Sequence, residues 1–526
     1  MAVFLIAFAR LAVNVANTGI ASGYVDPVTK IAAQDEAVYS HTAIQMAEHG
    51  DWFTPMFLDR LALYKPPLLY WASALSIKLL GVSPFAIRLP SMIAGALLLT
   101  LVFWWALRSW GLLAGCGTAL LLGSNHLLHT MARLNLTDAI LTLCFAGAAA
   151  CLYIDPDLKS RRAFFGFAVL SAAAILTKGV AGIMPLLMIG AYWALRARLL
   201  RQTLTLLKLG ICTAALASPW FVYQLLVHHR WFWAEFVLVE NIAFGTGSPP
   251  QTSQESQLWF YIRRIFLLDP VLAIAALVAL PIWWKRRSPE ATLLVAWISA
   301  VAIALMSYQY RNASYLLPLV VALSIVAAPL ARSRIFTLAV LPVALLLKVY
   351  SGDEPFGLLF QNGTTLTSAP PLQRYCESSR GNDLIIISPD DEFYSSVLPL
   401  PHVRYCYLVA GSAKRQYALD FVHLGIVLTA SQFEVLDELR PTFARRLAEW
   451  GVPTDRSIGT VILASSPMEI SALIAAHPEA DFLLPTAMID AAATASHKAV
   501  PASATRGFLL ARSATRSSPH RWTCGL

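Results

Sequence analysis

Apolar residues lie along this chain in uncharged runs of about 17 to 25 residues, separated by short polar segments. A run of that length is what an α-helix needs to cross the hydrocarbon core of a bilayer. Arg10 and Asn14 interrupt the first run, but no small-residue cleavage pattern marks it as a signal peptide, so it is kept as a helix. The pattern predicts eleven membrane spans, over residues 2–20, 89–107, 111–130, 136–153, 163–177, 179–195, 208–227, 266–284, 290–307, 314–331 and 334–350.

Beyond residue 350 the pattern changes, because proline, serine and charged residues return. Short apolar runs at 383–388, 403–409, 423–428 and 459–464 alternate with helical stretches such as 432–450. This alternation predicts a small α/β domain over 351–485. No acidic residue follows Asp490, whereas basic residues recur among Ala, Ser and Thr, so 486–526 is predicted to be a basic low-complexity tail.

Composition supports a membrane protein with many spans. Hydrophobic residues make up 57% of the chain and charged residues 13%, whereas a soluble domain has about 45 to 50% and about 25%. The first 350 residues are therefore predicted to be an α-helical membrane domain.

The basic residues of the connecting loops predict the orientation. They cluster in alternate loops, and such clusters face the cytoplasm. The clusters are Arg108; Lys159, Arg161 and Arg162; Arg196, Arg198, Arg201 and Lys208; Lys285, Arg286 and Arg287; and Arg332 and Arg334. The N-terminus is then cytoplasmic and everything after Tyr350 is outside. The net charge of +9 follows largely from this topology, so it gives no reason to invoke nucleic acid.

The remaining charged residues fall at the outer ends of the predicted spans. Charged residues are normal in loops, so a single one carries no information about function. Asp138 and Lys178, however, occupy very short turns between apolar helices, where a buried charge needs a partner. The set comprises Asp35, Glu36, Asp51, Lys65, Arg88, Arg133, Asp138, Lys178, Glu235, Glu240, Arg263, Arg264 and Arg311. Together they predict a site at the outer interface.

An outward-facing site restricts the substrate of a transferase. Nucleotide-activated donors are cytoplasmic, so a donor used outside must cross the membrane on a lipid, and a polyprenyl phosphate meets that need. Cations would hold its phosphate, and the candidates are Lys65, Lys178, Arg88 and Arg311. Aromatic faces would hold the transferred group, with Tyr39, Trp52, Tyr64 and Trp71 as candidates.

Several motifs in the first 350 residues carry a resemblance to a known family. They are DEAVY, GDWFTP, YKPPLLYW, AIRLPS, RLNLTDAIL, LTKGVAGIMPLL, SPWFVYQL, FVLVENIAFG and YRNASYLLPL. In this order they resemble the polyprenyl-phosphate-sugar-dependent membrane glycosyltransferases related to protein O-mannosyltransferases and to the aminoarabinose transferase of lipid A. The resemblance implies a GT-C-like helical fold with juxtamembrane helices in the first outer loop, and transfer of a sugar with inversion.

The resemblance also implies roles for individual residues. Asp35 would be the general base for the acceptor hydroxyl, and Glu36 would help to orient it or the acceptor. Lys65 is the first choice for binding the leaving phosphate, ahead of Lys178 and Arg311. Asp138 is a second catalytic carboxylate, against the alternative of a helix N-cap. Glu240 joins the aromatic candidates as a residue for sugar or acceptor.

The sequence departs from the aminoarabinose branch at a place associated with metal binding. An acidic residue before the Lys-Pro and a His after the later Glu are replaced by Tyr64 and Asn241. A divalent metal therefore stays an open question, and that particular sugar is not assigned. His228 and His229 are interpreted as an interfacial anchor rather than as ligands.

Two other functions stay open at this point. A transporter or flippase of a lipid-linked glycan would also have many spans, but it usually places charges and helix breaks near the membrane midplane. A non-catalytic scaffold would not need the motif residues. The acceptor could be lipid A, another glycolipid, a polymer or a protein, and Cys376 could pair with Cys406 in an oxidising compartment.

Overall fold

The structure is a computed structural model that describes residues 1–13, 15, 35–57, 60–63, 65–243, 245, 255–343 and 346. It further describes 384–388, 405–410, 461–464, 467–476, 478, 481–485, 497–501 and 508–513. The first group is almost entirely helical, and the second group is mainly strands.

Most of the described helices up to residue 331 follow one another with short connections. In chain order they are α1 (Ala2–Ala12), α2 (Asp35–His49), α3 (Leu68–Leu80), α4 (Pro84–Trp110), α5 (Leu112–Gly123), α6 (His126–Arg133), α7 (Thr137–Ile154), α8 (Arg161–Lys178), α9 (Met184–Leu195), α10 (Leu199–Val227), α11 (His229–Phe232), α12 (Gln257–Leu268), α13 (Pro270–Arg286), α14 (Pro289–Ser307) and α15 (Leu317–Ala331). Short 3₁₀ helices cover Gly179–Ile183 and Ala313–Leu316, and π-helices cover Trp233–Ala243 and Phe336–Val340.

Serine residues begin three of these helices and explain where the spans start. The side chains of Ser83, Ser160 and Ser288 accept the backbone N–H three residues on, at 3.1, 3.2 and 3.1 Å. An N-cap of this kind satisfies one of the donors that the first turn leaves open.

Six helical segments of the described residues are long and apolar enough to cross a membrane. They are Pro84–Trp110, Thr137–Ile154, Arg161–Leu195, Leu199–Val227, Pro289–Ser307 and Ala313–Ala331. The pair α12 and α13 makes a seventh if it is one span, but its two helices meet at 108°. The chain is thus a multi-pass membrane protein. The predicted span 111–130 divides into α5 and α6. The predicted span 266–284 is broken at Asp269, between α12 and α13.

The segment Arg161–Leu195 folds back on itself rather than running as one straight helix. The Trp193 indole donates to the Pro156 carbonyl at 3.0 Å, and Arg198 pairs with Asp157 at 2.9 Å. These contacts bring the end of α9 beside the start of α8. At the turn, a Cβ on Gly182 would lie 2.3 Å from the Ala174 backbone, so only glycine fits there.

The described part of the segment between α1 and α4 folds into α2, a small hairpin and α3, and packs on the bundle. Strand β1 (Met56–Phe57) pairs antiparallel with β2 (Arg60–Leu61). The Phe53 carbonyl accepts the Trp220 indole at 3.0 Å, and the Thr54 hydroxyl lies 3.3 Å from that of Tyr223. The loop is therefore fastened to α10.

Three buried or partly buried arginines bind the carboxyl ends of helices. Arg10 donates to the Gly123 carbonyl at the end of α5. Arg133 donates to the Val13 carbonyl at 2.6 Å and Arg88 to the Val15 carbonyl at 3.4 Å, just past the end of α1. The open carbonyls of a helix end attract cations, which explains why Arg133, a charged residue of the outer turn, is buried.

The second group of described residues forms a mixed sheet. Its strands are β3 (Leu384–Ser388), β4 (Tyr405–Ala410), β5 (Val461–Ala464), β6 (Asp481–Pro485), β7 (His497–Pro501) and β8 (Phe508–Ser513), with α16 (Pro467–Ala476) after β5. The order is β5-β4-β3-β6-β8-β7. β3, β4, β5 and β6 pair in parallel, whereas β8 pairs antiparallel with both β6 and β7.

Three of the apolar runs expected to be strands coincide with β3, β4 and β5. The run 423–428, the helix 432–450 and Cys376 lie outside the described residues. The structure differs from the sequence prediction after residue 486, because β7 and β8 come from the stretch interpreted as a basic tail. The physical reason is the apolar run at the start of Phe508–Ser513, which can pair with β6 despite the basic neighbours.

Candidate active site

A cavity of about 480 Å³ opens among α7, α9, α14 and the connections next to them. Four charged side chains, Lys65, Asp138, Lys178 and Glu240, lie on its wall together with Tyr308 and Tyr315. The rest of the wall is mostly apolar, with Leu141, Val180, Ile183, Met184, Leu187, Val301, Ile303 and Leu305 among its residues. A cavity with a charged end and an apolar remainder suits an amphiphilic ligand.

Lys65 projects into this cavity from the connection between β2 and α3. Pro66 and Pro67 follow it, and proline keeps the residue before it out of a helix, so α3 begins only at Leu68. The Lys65 ammonium forms an ion pair with the Glu240 carboxylate. Burial lowers the pKa of Lys65 to about 8, with Lys178 adding to the effect and Asp35 and Asp138 opposing it.

Asp138 and Lys178 meet across the cavity wall. The Lys178 ammonium lies 2.9 Å from Asp138 Oδ1, and both side chains are largely buried. Asp138 stands in the first turn of α7, whose N-cap position is Leu136 without a side-chain capping bond. The carboxylate therefore holds a lysine instead of capping the helix. Lys178 also lies 4.5 Å from the centre of the Tyr315 ring, a cation–π distance.

Asp35 is the exposed first residue of α2. The hydroxyl of Tyr39, one turn later, donates to Asp35 Oδ2 at 3.2 Å. Tyr39 is itself buried and packs edge to face on Tyr70, with 5.8 Å between ring centres. The Asp35 charge opposes the lowering of the Lys65 pKa by burial. Burial also raises the pKa of Tyr310, and the Asp35 charge raises it further. Asp35 is not among the described residues that line the cavity, but its charge acts on Lys65, which does line it.

Glu36 and Arg88 form a fully buried pair behind Asp35. Arg88 donates to Glu36 through Nε at 2.7 Å and Nη2 at 2.9 Å, and both side chains are 0% exposed. Glu36 also accepts the backbone N–H of Asn135 at 2.9 Å. This bidentate pair ties α2 to α4 and to the turn before α7. Neither residue is among the described residues that line the cavity, so Arg88 is placed away from the position expected for a phosphate ligand.

Other candidates from the sequence lie outside the cavity wall. Trp71 donates to the Trp52 carbonyl, and Lys78 lies 5.4 Å from the centre of the Trp52 ring, so both tryptophans belong to the packed segment between α1 and α4. Arg311 donates to the Glu255 carbonyl and lies 5.9 Å from the Phe260 ring centre. Tyr64 lies outside the described residues.

Tyr308 and Tyr315 line the cavity and Tyr310 lies between them in the chain, and the sequence reasoning missed all three. The Tyr308 hydroxyl donates to the Glu240 carbonyl at 3.0 Å, and the rings of Tyr308 and Tyr315 are 6.3 Å apart. All three lie in the segment SYQYRNASYL, in which the sequence analysis names only Arg311 as a candidate site residue. A cluster of tyrosines in one short segment could have indicated a binding site. Tyrosines at the end of a span are also common at membrane interfaces, so the cluster alone did not distinguish the two.

The described residues contain no group of three His, Cys, Asp or Glu side chains placed to share a metal ion. Asn241, at the position where a His was expected in the aminoarabinose branch, donates to the Phe236 carbonyl at 2.6 Å. His228 packs against Tyr223 instead, with 6.1 Å between ring centres. Within the described part of the chain, no side chains are therefore assigned as ligands of a metal ion.

Known proteins similar to this chain are glycosyltransferases by name. Residues 64–223 match the family model described as dolichyl-phosphate-mannose-protein mannosyltransferase. The undecaprenyl phosphate-alpha-4-amino-4-deoxy-L-arabinose arabinosyl transferase of Aeromonas hydrophila is 29% identical over 295 residues, which are 54% of this chain and 53% of that protein. The protein of the same name from Pectobacterium carotovorum is 27% identical over 308 residues, covering 56% and 54%.

Solved structures share this fold. A crystal structure of ArnT from Cupriavidus metallidurans bound to undecaprenyl phosphate superposes with a TM-score of 0.66 at 16% identity, covering 98% of each chain. The apo structure of the same protein gives a TM-score of 0.63 at 17% identity. The matched region spans about half the length of the curated relatives. These matches confirm the resemblance to the polyprenyl-phosphate-sugar glycosyltransferases.

Proposed function

We propose that this protein is an inverting glycosyltransferase that moves a sugar from a polyprenyl-phosphate donor to an acceptor hydroxyl at the outer face of the membrane. One observation carries the proposal most directly. Two lysines, each held by a carboxylate, meet at the charged end of a cavity of about 480 Å³ with apolar walls. A lipid phosphate with a long hydrocarbon tail has the same division into a charged head and an apolar body.

The donor phosphate is assigned to Lys65 and Lys178. Both ammonium groups are on the cavity wall, where low polarity strengthens their attraction for an anion. Lys178 is held in place by Asp138 and by the face of Tyr315. The fold shared with a structure that holds undecaprenyl phosphate supports a lipid phosphate as the bound anion.

Asp35 is assigned as the general base. The step forms a bond between the acceptor oxygen and the anomeric carbon, breaks the bond from that carbon to the phosphate oxygen, and passes the acceptor proton to Asp35. The hydroxyl becomes acidic only as the new bond forms, so a positioned carboxylate acts in the transition state. The leaving group departs as polyprenyl phosphate, whose added negative charge Lys65 and Lys178 stabilise.

Two further residues are assigned as positioning residues for Asp35. Glu36 holds the first turn of α2 through Arg88 and Asn135. Tyr39 holds one carboxylate oxygen. Both act through backbone and hydrogen bonds, not through contact with the sugar.

The sugar is proposed only as a class, a hexose or a pentose. Relatives named for 4-amino-4-deoxy-L-arabinose make that pentose the first donor to test, although Tyr64 and Asn241 depart from that branch. The proposed topology has a cytoplasmic N-terminus, eleven spans in a bacterial inner membrane, and the α/β domain outside.

The decisive experiment is incubation of the purified protein in liposomes with a panel of radiolabelled undecaprenyl-phosphate sugars, scoring donor hydrolysis or transfer to a membrane extract. Asp35→Asn is run beside the wild type, and Asp51→Asn is the matched control, because Asp51 caps the backbone of Phe53 and Thr54 in the same loop. Turnover lost only in Asp35→Asn supports the assignment. Unchanged turnover in a stable Asp35→Asn protein would falsify the assignment of the base.

A further inference from the structure

The ends of α4 and α13 meet the start of α14 at one junction. The rings of Trp110 and Trp283 pack edge to face, with 5.3 Å between their centres. The Trp105 indole donates to Glu290 Oε1 at 2.8 Å, and the Ser109 hydroxyl donates to the same oxygen. We call these five residues the tryptophan junction. It lies apart from the proposed chemistry, because none of the five is among the described residues that line the cavity.

Arg286, the last residue of α13, lies against two of these rings. Its guanidinium carbon is 4.4 Å from the centre of the Trp110 ring and 5.8 Å from that of Trp283. Trp283 is buried, and its indole donates to the Val326 carbonyl of α15 at 2.8 Å, so this ring is fixed in place. An arginine that packs on aromatic faces keeps the N–H groups at its edge available to an anion.

The carboxylate beside Arg286 leaves these N–H groups able to bond a ligand. Glu290 Oε2 lies 3.8 Å from Arg286 Nη1, which is an ion pair beyond hydrogen-bond distance. The other oxygen of Glu290 already accepts from Trp105 and Ser109. The Glu290 side chain is 9% exposed, whereas that of Arg286 is 37% exposed. The carboxylate is thus turned inwards, and the guanidinium is accessible to an anion from outside the protein.

The surface around Arg286 has an excess of positive charge at the level of lipid headgroups. The segment 284–290 contains three basic residues and one acidic residue. Lys285 and Arg287 are exposed, and Trp284 is 79% exposed. An exposed tryptophan at the end of an apolar helix is typical of the membrane interface. Basic residues at a junction of membrane helices attract the phosphate groups of lipids.

An apolar row on α13 leads to Arg286. Ile282, Val278 and Ile274 precede it at steps of four residues, so they lie one above the other on the helix surface. Their exposed fractions are 37%, 56% and 54%. A lipid whose phosphate contacts Arg286 would therefore have an apolar surface beside its acyl chains.

We propose that Arg286, supported by Lys285 and Arg287, binds the phosphate group of an anionic phospholipid from the surrounding leaflet. A planar guanidinium can bond two phosphate oxygens at its edge while its face stays on Trp110. The bound lipid places an anion where α4, α13 and α14 meet. This site is separate from the donor cavity, and the proposal does not depend on the proposed transferase reaction.

The test measures binding of lipids to the purified protein in detergent by native mass spectrometry. The probe is dioleoyl-phosphatidylglycerol, which is anionic, and dioleoyl-phosphatidylcholine is the comparison without net charge. The wild type is expected to bind the anionic lipid about tenfold more tightly or better, as hydrogen bonds between charged groups allow. Arg286→Gln should lose most of that preference. So should Arg286→Lys, because lysine keeps the charge but lacks the planar pair of donors.

A matched control is Arg201→Gln. Arg201 is exposed near the start of α10 and faces the same side as Arg286 in the proposed topology, so its replacement removes the same charge and should leave the preference unchanged. An equal loss in Arg201→Gln would show general attraction by surface charge and overturn the proposal. An unchanged preference in Arg286→Gln would also overturn it. If Arg286→Gln does not fold, Arg286→Lys decides, since it keeps the charge beside Glu290.

Inorganic phosphate separates a lipid site from a site for a free anion. The melting temperature of the wild type in detergent is measured with phosphatidylglycerol and with sodium phosphate at equal ionic strength. Phosphatidylglycerol is expected to raise it, and sodium phosphate is expected to have little effect. A rise with sodium phosphate that equals the rise with the lipid and disappears in Arg286→Gln would overturn the assignment to a phospholipid.

Discussion

The Lys178 ammonium lies 2.9 Å from the Asp138 carboxylate and joins the last turn of α8 to the first turn of α7. The two residues are 40 positions apart in the sequence. Both are charged residues at the ends of apolar helices, and they face the same cavity. Each therefore compensates the charge of the other in the absence of a ligand, while the lysine stays available to an incoming anion.

Replacing this lysine is expected to weaken donor binding. Lys178→Met should lower the affinity for undecaprenyl phosphate by about tenfold or more, because a charged hydrogen bond to phosphate is lost in a cavity of low polarity. The measurement is titration of the lipid in detergent by intrinsic fluorescence. Lys78→Met is the control, since Lys78 is exposed on α3 and lies over Trp52 rather than in the cavity. Equal affinities for Lys178→Met and wild type would contradict the assignment.

The affinity for undecaprenyl phosphate should also depend on pH through Lys65. Its pKa is lowered to about 8, so the ammonium is charged below that pH and neutral above it. Affinity is therefore expected to fall as the pH rises through about 8. Lys65→Arg should flatten the curve, because arginine stays charged. A wild-type curve as flat as that of Lys65→Arg would rule out this lysine as the titrating group.

The same pKa shift makes a prediction about stability in the absence of lipid. Folding lowers the pKa of Lys65 from 10.5 to about 8. Between these two pH values the unfolded chain therefore binds more protons than the folded one. The free energy of unfolding should then rise with pH across this window. Thermal denaturation of wild type and Lys65→Met across the window measures it, and the difference between the two proteins should shrink towards the upper end.

The buried pair of Glu36 and Arg88 should contribute strongly to the stability of the contact between α2 and α4. Arg88→Met leaves an unpaired carboxylate at a site with 0% exposure, so a loss of about 3 to 5 kcal/mol in unfolding free energy is expected. Glu36→Leu should cost about as much. The double variant should recover a large part of the loss, because neither charge is then left alone. Additive losses in thermal denaturation would argue against a coupled pair.

The turn between α8 and α9 should tolerate no side chain at Gly182. A Cβ there would lie 2.3 Å from the Ala174 backbone, so Gly182→Ala is expected to force the hairpin apart and lower the yield of folded protein sharply. Gly190 on α9 is the matched control, because no described atom lies within 4 Å of a Cβ placed there. Gly190→Ala should be neutral or stabilise by up to about 1 kcal/mol. Size-exclusion profiles and melting temperatures distinguish the two variants.

Much of the membrane domain could be predicted from apolar runs and their flanking residues. The starts of α4, α8 and α14 coincide with serine caps that are visible in the sequence. The division of the third predicted span into α5 and α6 was not foreseen, because the run 111–130 is apolar throughout its first part. Its break depends on Asn125, which caps α6 and bonds to Asp269 from a distant helix.

The sequence predicted which residues belong to the candidate site, but not how their side chains are arranged in space. Motifs and short turns identified Lys65, Asp138, Lys178 and Glu240, and the structure brings all four to one cavity. Arg88 carries the same charge and stands in a matching motif, yet it bonds Glu36 and helix-end carbonyls. Charge and position along the chain do not reveal which partner a side chain will meet.

The sequence alone determined that the chain crosses a membrane many times and that its ionisable residues collect near the helix ends. These follow from the cost of placing charge in hydrocarbon, which acts on each segment separately. Only the tertiary structure decided which charges neutralise one another and which face the cavity. Those outcomes depend on distances between helices far apart in sequence, since a buried ion pair is stable only where both partners meet in good geometry.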